Sequence, residues 1–186
     1  MNPEEFSKEV QKKANELKTY AETRFPTKAG KIALRFVNGN FRAQGFQGAS
    51  FKKWKSTKRG GTILVKTGKL RAATYYTTQV GQATIQNHMP YAKVHNEGFS
   101  GNVSVKAHTR NKYSKTKVGT GKFTKTGKER QKTMTMKTGQ STVKSHSRKV
   151  NIAQRQFAPT ATNSSPVLNN AISREVSKDI IQILKK

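Results

Sequence analysis

The side chains of this sequence that can do chemistry are mostly lysines and arginines, and they are concentrated in its interior. Residues 99–150 hold fourteen bases and one acid, Glu129, for a net charge of +13. Residues 25–98 add a net +12, and no acid occurs between Thr23 and Asn96. Cations without acidic neighbours repel one another, so this pattern indicates a polyanionic partner such as nucleic acid.

We therefore predict that the basic side chains of residues 99–150 contact DNA or an acidic protein partner. Lysine outnumbers arginine among them, and lysine acts as a point charge rather than as a base-reading fork. The expected contact is with the phosphate backbone, sensitive to salt and indifferent to base sequence. The predicted contact residues are Lys106, Arg110, Lys112, Lys115, Lys117, Lys122, Lys125, Lys128, Arg130, Lys132, Lys137, Lys144, Arg148 and Lys149.

The sequence does not support the other kinds of chemistry that its residues could suggest. The Thr-Gly-Lys segments invite comparison with phosphate-binding loops, but Ile63, Thr116 and Lys122 stand where the first glycine of that motif belongs. Paired carboxylates for acid–base catalysis are missing from the middle of the chain. The four histidines have no clustered third ligand, and there is no cysteine. We expect no enzymatic activity, no cofactor and no metal.

The composition limits the size of the fold. The chain has 186 residues, and 32% of them are hydrophobic, against about 45–50% in ordinary globular domains. One small core is expected, with part of the chain unable to fold by itself. No apolar run approaches the ~18 residues of a membrane span, and the acidic start lacks the apolar run of a secretory signal. The sequence thus predicts a protein made in the cytoplasm, with no membrane partner.

Helices are predicted at both ends of the chain. Asn2 is a good N-cap, and apolar residues recur at helical spacing through residues 3–24. Phe25-Pro26 is expected to end this helix. A second helix is predicted from Thr27 to a stop at Asn38-Gly39. The last helix begins at Pro166, with Ser165 as its cap.

Short elements are predicted between these helices. Residues 40–61 indicate a loop whose four aromatic residues pack on the core rather than stack on nucleobases. Thr67 is expected to cap a short helix near Gly68. The further elements are a β-hairpin from Thr74 to Asn87 with its turn at Gly81-Gln82, and a short helix from Met89-Pro90 to Gly98.

The basic region has the composition of an insertion. Residues 99–150 are rich in Lys, Thr, Ser and Gly and cannot build a core. Weak alternation predicts a long β-arm or loop, with Val150 and Ile152 pairing back on Val103 and Val105. The expected fold is α+β: a small antiparallel sheet packed by the N- and C-terminal helices, formed by residues 1–98 and 151–186 as one discontinuous domain.

Three sequence blocks together resemble the virion morphogenesis proteins of tailed phages, which are also called tail-completion, neck or head–tail joining proteins. The blocks are Ile63-Leu64-x-x-Thr67-Gly68-x-Leu70-Arg71, Pro90-Tyr91-Ala92-x-x-His95-x-x-Gly98 and Arg155-x-Phe157. The resemblance covers residues 3–98 and 151–184. It implies structural roles for Leu64, Thr67, Gly68, Leu70, Arg71, Tyr91, Ala92, His95, Gly98, Arg155 and Phe157.

The resemblance also implies a function and partners. The chain would be a non-enzymatic subunit of a hexameric or dodecameric ring around the DNA channel, in the virion neck or at the head-proximal end of the tail. Its neighbours would be other neck, connector and tail proteins. The basic arm would contact DNA in the lumen, or reach outward to a neighbouring ring.

Two other function classes remain open at this stage. One is a sequence-nonspecific nucleic-acid-binding protein of ribosomal or nucleoid type with a basic extension. The other, which is weaker, is an enzyme such as a basic nuclease. Self-assembly into a defined ring distinguishes the phage protein from the ribosomal type, and DNA cleavage with added divalent metal would distinguish the nuclease.

Overall fold

A computed structural model describes residues 2–57 and 60–185 of the chain, and it is mixed α+β. The chain divides into two compact units. Unit 1 comprises Met1–Phe99 and Asn151–Lys186, and unit 2 comprises Ser100–Val150.

Unit 1 begins with a long helical segment. Helix α1 spans Pro3–Thr19. Asn2 is its N-cap, as expected, and the structure adds a capping box with Glu5. The chain does not leave the helix at Phe25-Pro26, so that predicted end is wrong. A π-helical turn at Tyr20–Arg24 leads directly into helix α2, Phe25–Ala43.

The proline is accommodated because its missing N–H frees a carbonyl group for another partner. Residue 26 would bond to the carbonyl four positions earlier in an α-helix. That carbonyl belongs to Glu22, and it accepts the backbone N–H of Gly81 at 3.1 Å instead. Gly81 lies in a hairpin turn, so the proline site joins the helix to the hairpin.

Helix α2 continues past the predicted stop at Asn38-Gly39. Asn40 and Phe41 in its last turns are buried, and their packing outweighs the local stop signal. The helix ends where Gln44 adopts a left-handed conformation, with φ of 56°. The Gln44 side chain bonds the backbone of both Phe41 and Ile63, which fixes the end of the helix against the following loop.

The predicted loop at residues 40–61 contains the end of α2 and a small antiparallel pair, β1 (Gly45–Gln47) and β2 (Phe51–Lys53). The expectation that its aromatic residues pack on the core is correct for three of them and wrong for the exposed Phe51. Among the described residues, one buried cluster comprises Val37, Phe41, Trp54, Ile63, Leu70, Ala92 and Phe157.

Short elements complete this part of unit 1. Helix α3 spans Lys69–Ala72. Its N-cap is Gly68, in a left-handed conformation, so the cap predicted at Thr67 is wrong. The predicted hairpin is present, but its turn residues are Val80 and Gly81, one position earlier than expected, because Gln79 pairs with Gln82. The bounds are Thr74–Gln79 for β3, Gln82–Asn87 for β4 and Ala92–Glu97 for helix α4.

Helix α5 spans Pro166–Lys185, as predicted. The hydroxyl of Ser165 accepts the backbone N–H of Leu168 at 3.2 Å, which confirms the expected cap. Asp179 on this helix accepts hydrogen bonds from the Tyr20 hydroxyl at 2.7 Å and from Lys28 Nζ at 2.6 Å. These bonds fasten α5 to the π-helical turn and to α2.

In the part of the chain that the structure describes, the strands form four separate two-stranded sheets rather than the one small sheet expected. Strand β5 (Phe99–Val105) pairs with β8 (His146–Ile152), and β6 (His108–Phe123) pairs with β7 (Glu129–Val143). No helix in the described ranges is both long enough and apolar enough to cross a bilayer.

Candidate nucleic-acid interface

The β6–β7 hairpin carries most of the cations of unit 2. Its strands are antiparallel, with His108 opposite Val143 at one end and Phe123 opposite Glu129 at the other. Sixteen residues of strand β6 extend about 50 Å at the usual rise of about 3.3 Å per residue. Every residue of this strand is exposed, so its cations are hydrated and available to a large polyanion.

Lysines converge on one face of the outer part of this hairpin. One side of β6 carries Tyr113, Lys115 and Lys117 in succession. On β7, Lys137 stands opposite Tyr113. Residues two apart on a strand are about 7 Å apart, so the lysines form a row beside an exposed aromatic ring. We call Tyr113, Lys115, Lys117 and Lys137 the lysine face.

The opposite face of the outer hairpin is more apolar. It carries Val118 on β6 and Met134 and Met136 on β7, which oppose Thr116 and Ser114. All three apolar side chains are at least two-fifths exposed. This face also carries Lys132, opposite Val118, so the two faces differ in their share of apolar side chains, and the lysine face has three lysines beside one aromatic ring.

The Thr-Gly segments of the basic region are points of backbone irregularity. Gly127 has a φ of 75° and forms the turn at the tip, where its N–H bonds the Thr124 carbonyl at 3.0 Å. Gly121 and Gly139 lie at the two shifts of strand register and also have positive φ. In the Thr67-Gly68 segment, Gly68 likewise has a positive φ, at the start of α3. The repetition thus marks backbone turns and bulges.

The one acid of unit 2 is held by the backbone. Glu129 Oε1 accepts the N–H of Gly121 at 2.9 Å. Its carboxylate lies where a side chain at position 119 would stand, so Gly119 makes room for it. No salt bridge involves a cation of this unit in the part of the chain that the structure describes. The lysine face is thus left without an internal counter-ion.

The remaining predicted basic residues are all exposed and are distributed over the unit. None of them forms a salt bridge in the described part of the chain. Lys122, Lys125 and Lys128 lie around the tip of the hairpin. Arg110 and Lys112 lie nearer its base, on the side of β6 opposite to the lysine face. The others are Arg130 and Lys132 in β7, Lys106 and Lys144 between strands, and Arg148 and Lys149 in β8.

The residues of the three sequence blocks lie in unit 1, and several meet there. Leu70, Ala92 and Phe157, one from each block, belong to the same buried cluster, with Leu64 packed against it. The Arg71 Nε donates to Asn38 Oδ1 at 2.8 Å, which joins α3 to α2. Thr67 is exposed and Gly68 is half-buried at the start of α3.

We call residues 155–158, which follow unit 2 in the chain, the returning segment. Hydrogen bonds to its backbone hold it in place. The Arg155 N–H donates to the His95 carbonyl at 2.8 Å. The Trp54 indole N–H donates to the Gln156 carbonyl at 2.7 Å, and the Asn40 side chain donates to the Phe157 carbonyl at 3.0 Å. Three residues from distant parts of the chain therefore fix a segment that has no regular structure of its own.

His95 is half-buried in this region. The Tyr91 ring packs edge-on against its imidazole at 5.9 Å between centroids. Its Nδ1 atom is buried and has no hydrogen-bond partner among the described residues. Burial lowers the pKa of His95 below its usual value, and the positive charge of Arg155 lowers it further. Gly98 ends α4 with a φ of 80°, and Gln154 lies against it.

Sequence reasoning missed several residues that organise unit 1. Asn40 and Asn96 are buried and bond the returning segment, and Asp179 joins three helical segments. A polar residue inside an apolar helical stripe was the available signal for Asn40. In residues 2–57 and 60–185, no group of three acidic or histidine side chains is close enough to hold a metal ion.

No family model, curated protein or solved structure matches this chain.

Proposed function

We propose that this chain is a structural subunit of a tailed-phage virion, in the neck or at the head-proximal end of the tail. Copies would form a ring around the DNA channel, and the basic hairpin would contact DNA or a neighbouring ring. The observation that carries the proposal is the lysine face: an exposed row of cations with no internal counter-ion, on a hairpin that adds no buried residue to the core.

The physical properties of such a face suit a channel lining. Lysines that attract phosphates without reading bases leave DNA free to slide, because every position along the duplex offers the same charge. Repetition around a ring multiplies the number of contacts without making any one of them strong. The absence of a fixed acid beside Lys115 and Lys117 keeps their charge available to the polyanion.

The three sequence blocks support the same proposal from unit 1. The residues that carry the resemblance to virion morphogenesis proteins have structural positions: Leu70 and Phe157 are buried, and Arg71 bonds a neighbouring helix. His95, the histidine of these blocks, is enclosed and lacks an acidic partner among the described residues. A scaffold role accounts for these positions better than catalysis does.

A binding experiment tests the contribution of the lysine face. We expect the affinity for a random-sequence DNA duplex to fall steeply with salt. Replacing Lys115, Lys117 and Lys137 with Gln should make the slope of log K against log salt shallower by about 2–3, since each lost phosphate contact contributes about 0.9. Fluorescence anisotropy between about 50 and 200 mM salt measures this slope.

The matched control removes the same charge elsewhere. Lys8, Lys12 and Lys18 are exposed on helix α1, and their replacement with Gln changes the net charge equally. We expect this control to change the slope by less than about 1. Equal effects of the two triple variants would show that only the net charge matters, and would contradict a role for the lysine face.

Electron microscopy of the purified protein tests the ring. Closed rings of uniform size, formed with or without DNA, would support the neck assignment. DNA binding by particles that never form a ring would instead support the ribosomal or nucleoid class and would contradict the proposal. DNA cleavage on addition of Mg²⁺ would support the nuclease class.

A further inference from the structure

Helix α1 leaves part of its apolar stripe uncovered within unit 1. Phe6 is 60% exposed and Val10 is 51% exposed, and no residue of α1 is buried. Farther along the same stripe the helix is covered, because Lys13 Nζ donates to the Ile183 carbonyl of α5 at 3.0 Å. The uncovered part is therefore the first three turns. We call Phe6, Glu9 and Val10 the α1 patch.

The α1 patch has an acidic border. Glu9 lies three residues from Phe6 and next to Val10, so its carboxylate borders the apolar pair. Glu5 lies one turn before Glu9, and its side chain is engaged in the capping box. Acidic surface is scarce in a chain of net charge +28 with nine acids, so the α1 patch is one of few places able to attract a cationic surface.

Helix α5 exposes a second apolar pair with the opposite border. Ile181 is 50% exposed and Leu184 is 55% exposed, although they lie on a helix whose other side packs against α2. Lys178 stands three residues before Ile181, and Lys185 stands four residues after it. We call Lys178, Ile181, Leu184 and Lys185 the α5 patch.

We propose that the α1 patch of one copy binds the α5 patch of the next copy. Each patch has two apolar side chains that are at least half exposed, and the borders of the two patches carry opposite charges. The contact is heterologous, so each copy offers one patch of each kind, and repetition generates a ring or an open chain. This inference deepens the proposed function, because it names the surface through which a ring would assemble.

The surface beside the α1 patch supports a second copy rather than a small ligand. Leu17 and Ala21 continue the stripe into an apolar groove of about 310 Å³, which Val176 and Ile180 of α5 close on the other side. An exposed apolar stripe on a helix suits another helix. Most other surfaces of this chain are strongly cationic and would repel their copies. The acidic border of the α1 patch therefore favours this contact over others.

Disulfide trapping tests the contact directly, since the chain has no cysteine of its own. A Phe6→Cys chain is mixed with a Leu184→Cys chain of different mass, and the mixture is oxidised mildly. We expect a mixed disulfide on a non-reducing gel, which can form only between copies. Val80→Cys, at a well-exposed hairpin turn, replaces Leu184→Cys as the control and should give little product.

The trapping result can also overturn the inference. Cross-linking of Phe6→Cys only with itself would indicate a symmetric α1–α1 contact, and no mixed product above the Val80→Cys control would exclude the proposed one. Rings seen by electron microscopy without the mixed disulfide would overturn this interface and leave the proposed function standing. The mixed disulfide with open chains would support the interface and count against the ring.

Charge reversal gives a test that leaves the apolar residues in place. Glu9→Lys and Lys178→Glu should each weaken self-association about tenfold, which corresponds to about 1.4 kcal/mol. The two substitutions in one chain should restore it, because each copy then presents the reversed pair to its neighbour. Sedimentation velocity measures the association. Additive weakening in the double variant would contradict the proposed pairing of these borders.

Discussion

The side chain of Asn96 holds the backbone of Phe157, which lies 61 residues later in the chain. Its Oδ1 atom accepts the N–H groups of Phe157 and Ala158, both at 2.9 Å. Asn96 is on helix α4, and Phe157 lies in the buried cluster of unit 1. One amide therefore fixes the segment that returns after unit 2.

Replacing Asn96 with Ala should destabilise unit 1 by about 1–3 kcal/mol, because the substitution leaves a buried N–H of Phe157 without a partner. Urea denaturation followed by Trp54 fluorescence measures the free energy of unfolding, since this tryptophan packs in the same cluster. Asn170→Ala, at an exposed position of α5, is the control and should change stability little. Equal stability of Asn96→Ala and the unmodified chain would show that the amide is dispensable.

Leu70 and Tyr91 both belong to the sequence blocks, but the structure separates their energetic roles. Leu70 is 4% exposed and Tyr91 is 41% exposed. Leu70→Ala should destabilise unit 1 by about 2–5 kcal/mol, the usual range for a buried leucine, whereas Tyr91→Ala should cost well below this. Thermal melts by circular dichroism compare the two variants. A larger loss for Tyr91→Ala would contradict this assignment.

Stability should fall in acid through Asp179. The hydrogen bond from Lys28 lowers the pKa of Asp179 below its ordinary value of 3.8, and the bond from Tyr20 lowers it further. The unfolded chain therefore takes up the proton first as the pH falls. The stabilisation by the Asp179 carboxylate is complete above about pH 4 and is lost as the pH drops through the lowered value.

Asp179→Asn should remove this part of the acid dependence. Urea midpoints measured between pH 7 and pH 2.5 should converge for the two proteins at the acid end. Glu175→Gln is the matched control, since Glu175 contacts the same Lys28 at 3.7 Å but is more exposed. This control should keep the slope. An unchanged acid slope in Asp179→Asn would assign the loss of stability to other carboxylates.

Unit 1 should fold without most of unit 2. Deleting residues 101–149 removes β6 and β7, and none of the described residues in that stretch is buried. The apolar area that drives folding therefore stays in the remaining chain. We expect a cooperative melt by circular dichroism near that of the full chain. A broad, non-cooperative melt would show that unit 2 is required for folding.

The sequence predicted those elements that local signals specify. Asn2 and Ser165 cap the first and last helices as expected, because a cap is encoded within a few residues. The α+β class and the hairpin at residues 74–87 were predictable from periodicity. The basic charge of residues 99–150 is likewise a property of composition.

The remaining features depend on contacts that are distant in sequence. The proline at position 26 does not end the helix, because a π-helical turn precedes it. The Glu22 carbonyl also accepts the N–H of Gly81 in the hairpin. Helix α2 passes Asn38-Gly39 because Phe41 and Asn40 are buried by residues far along the chain. The exposure of the α1 patch was also not predictable, since a stripe of apolar residues does not indicate how much of it another helix packs against.

The bond between Gly81 and Glu22 has a consequence for how this fold tolerates change. It joins two main-chain atoms, so nearly any side chain at position 22 preserves it. An ordinary residue at position 26 would donate its N–H to the same carbonyl if the π-helical turn became α-helical, and the helix would then compete with the hairpin for one acceptor. Pro26 is thus the residue whose replacement we expect to loosen the hairpin from the helix, although the proline contacts the hairpin through no hydrogen bond of its own.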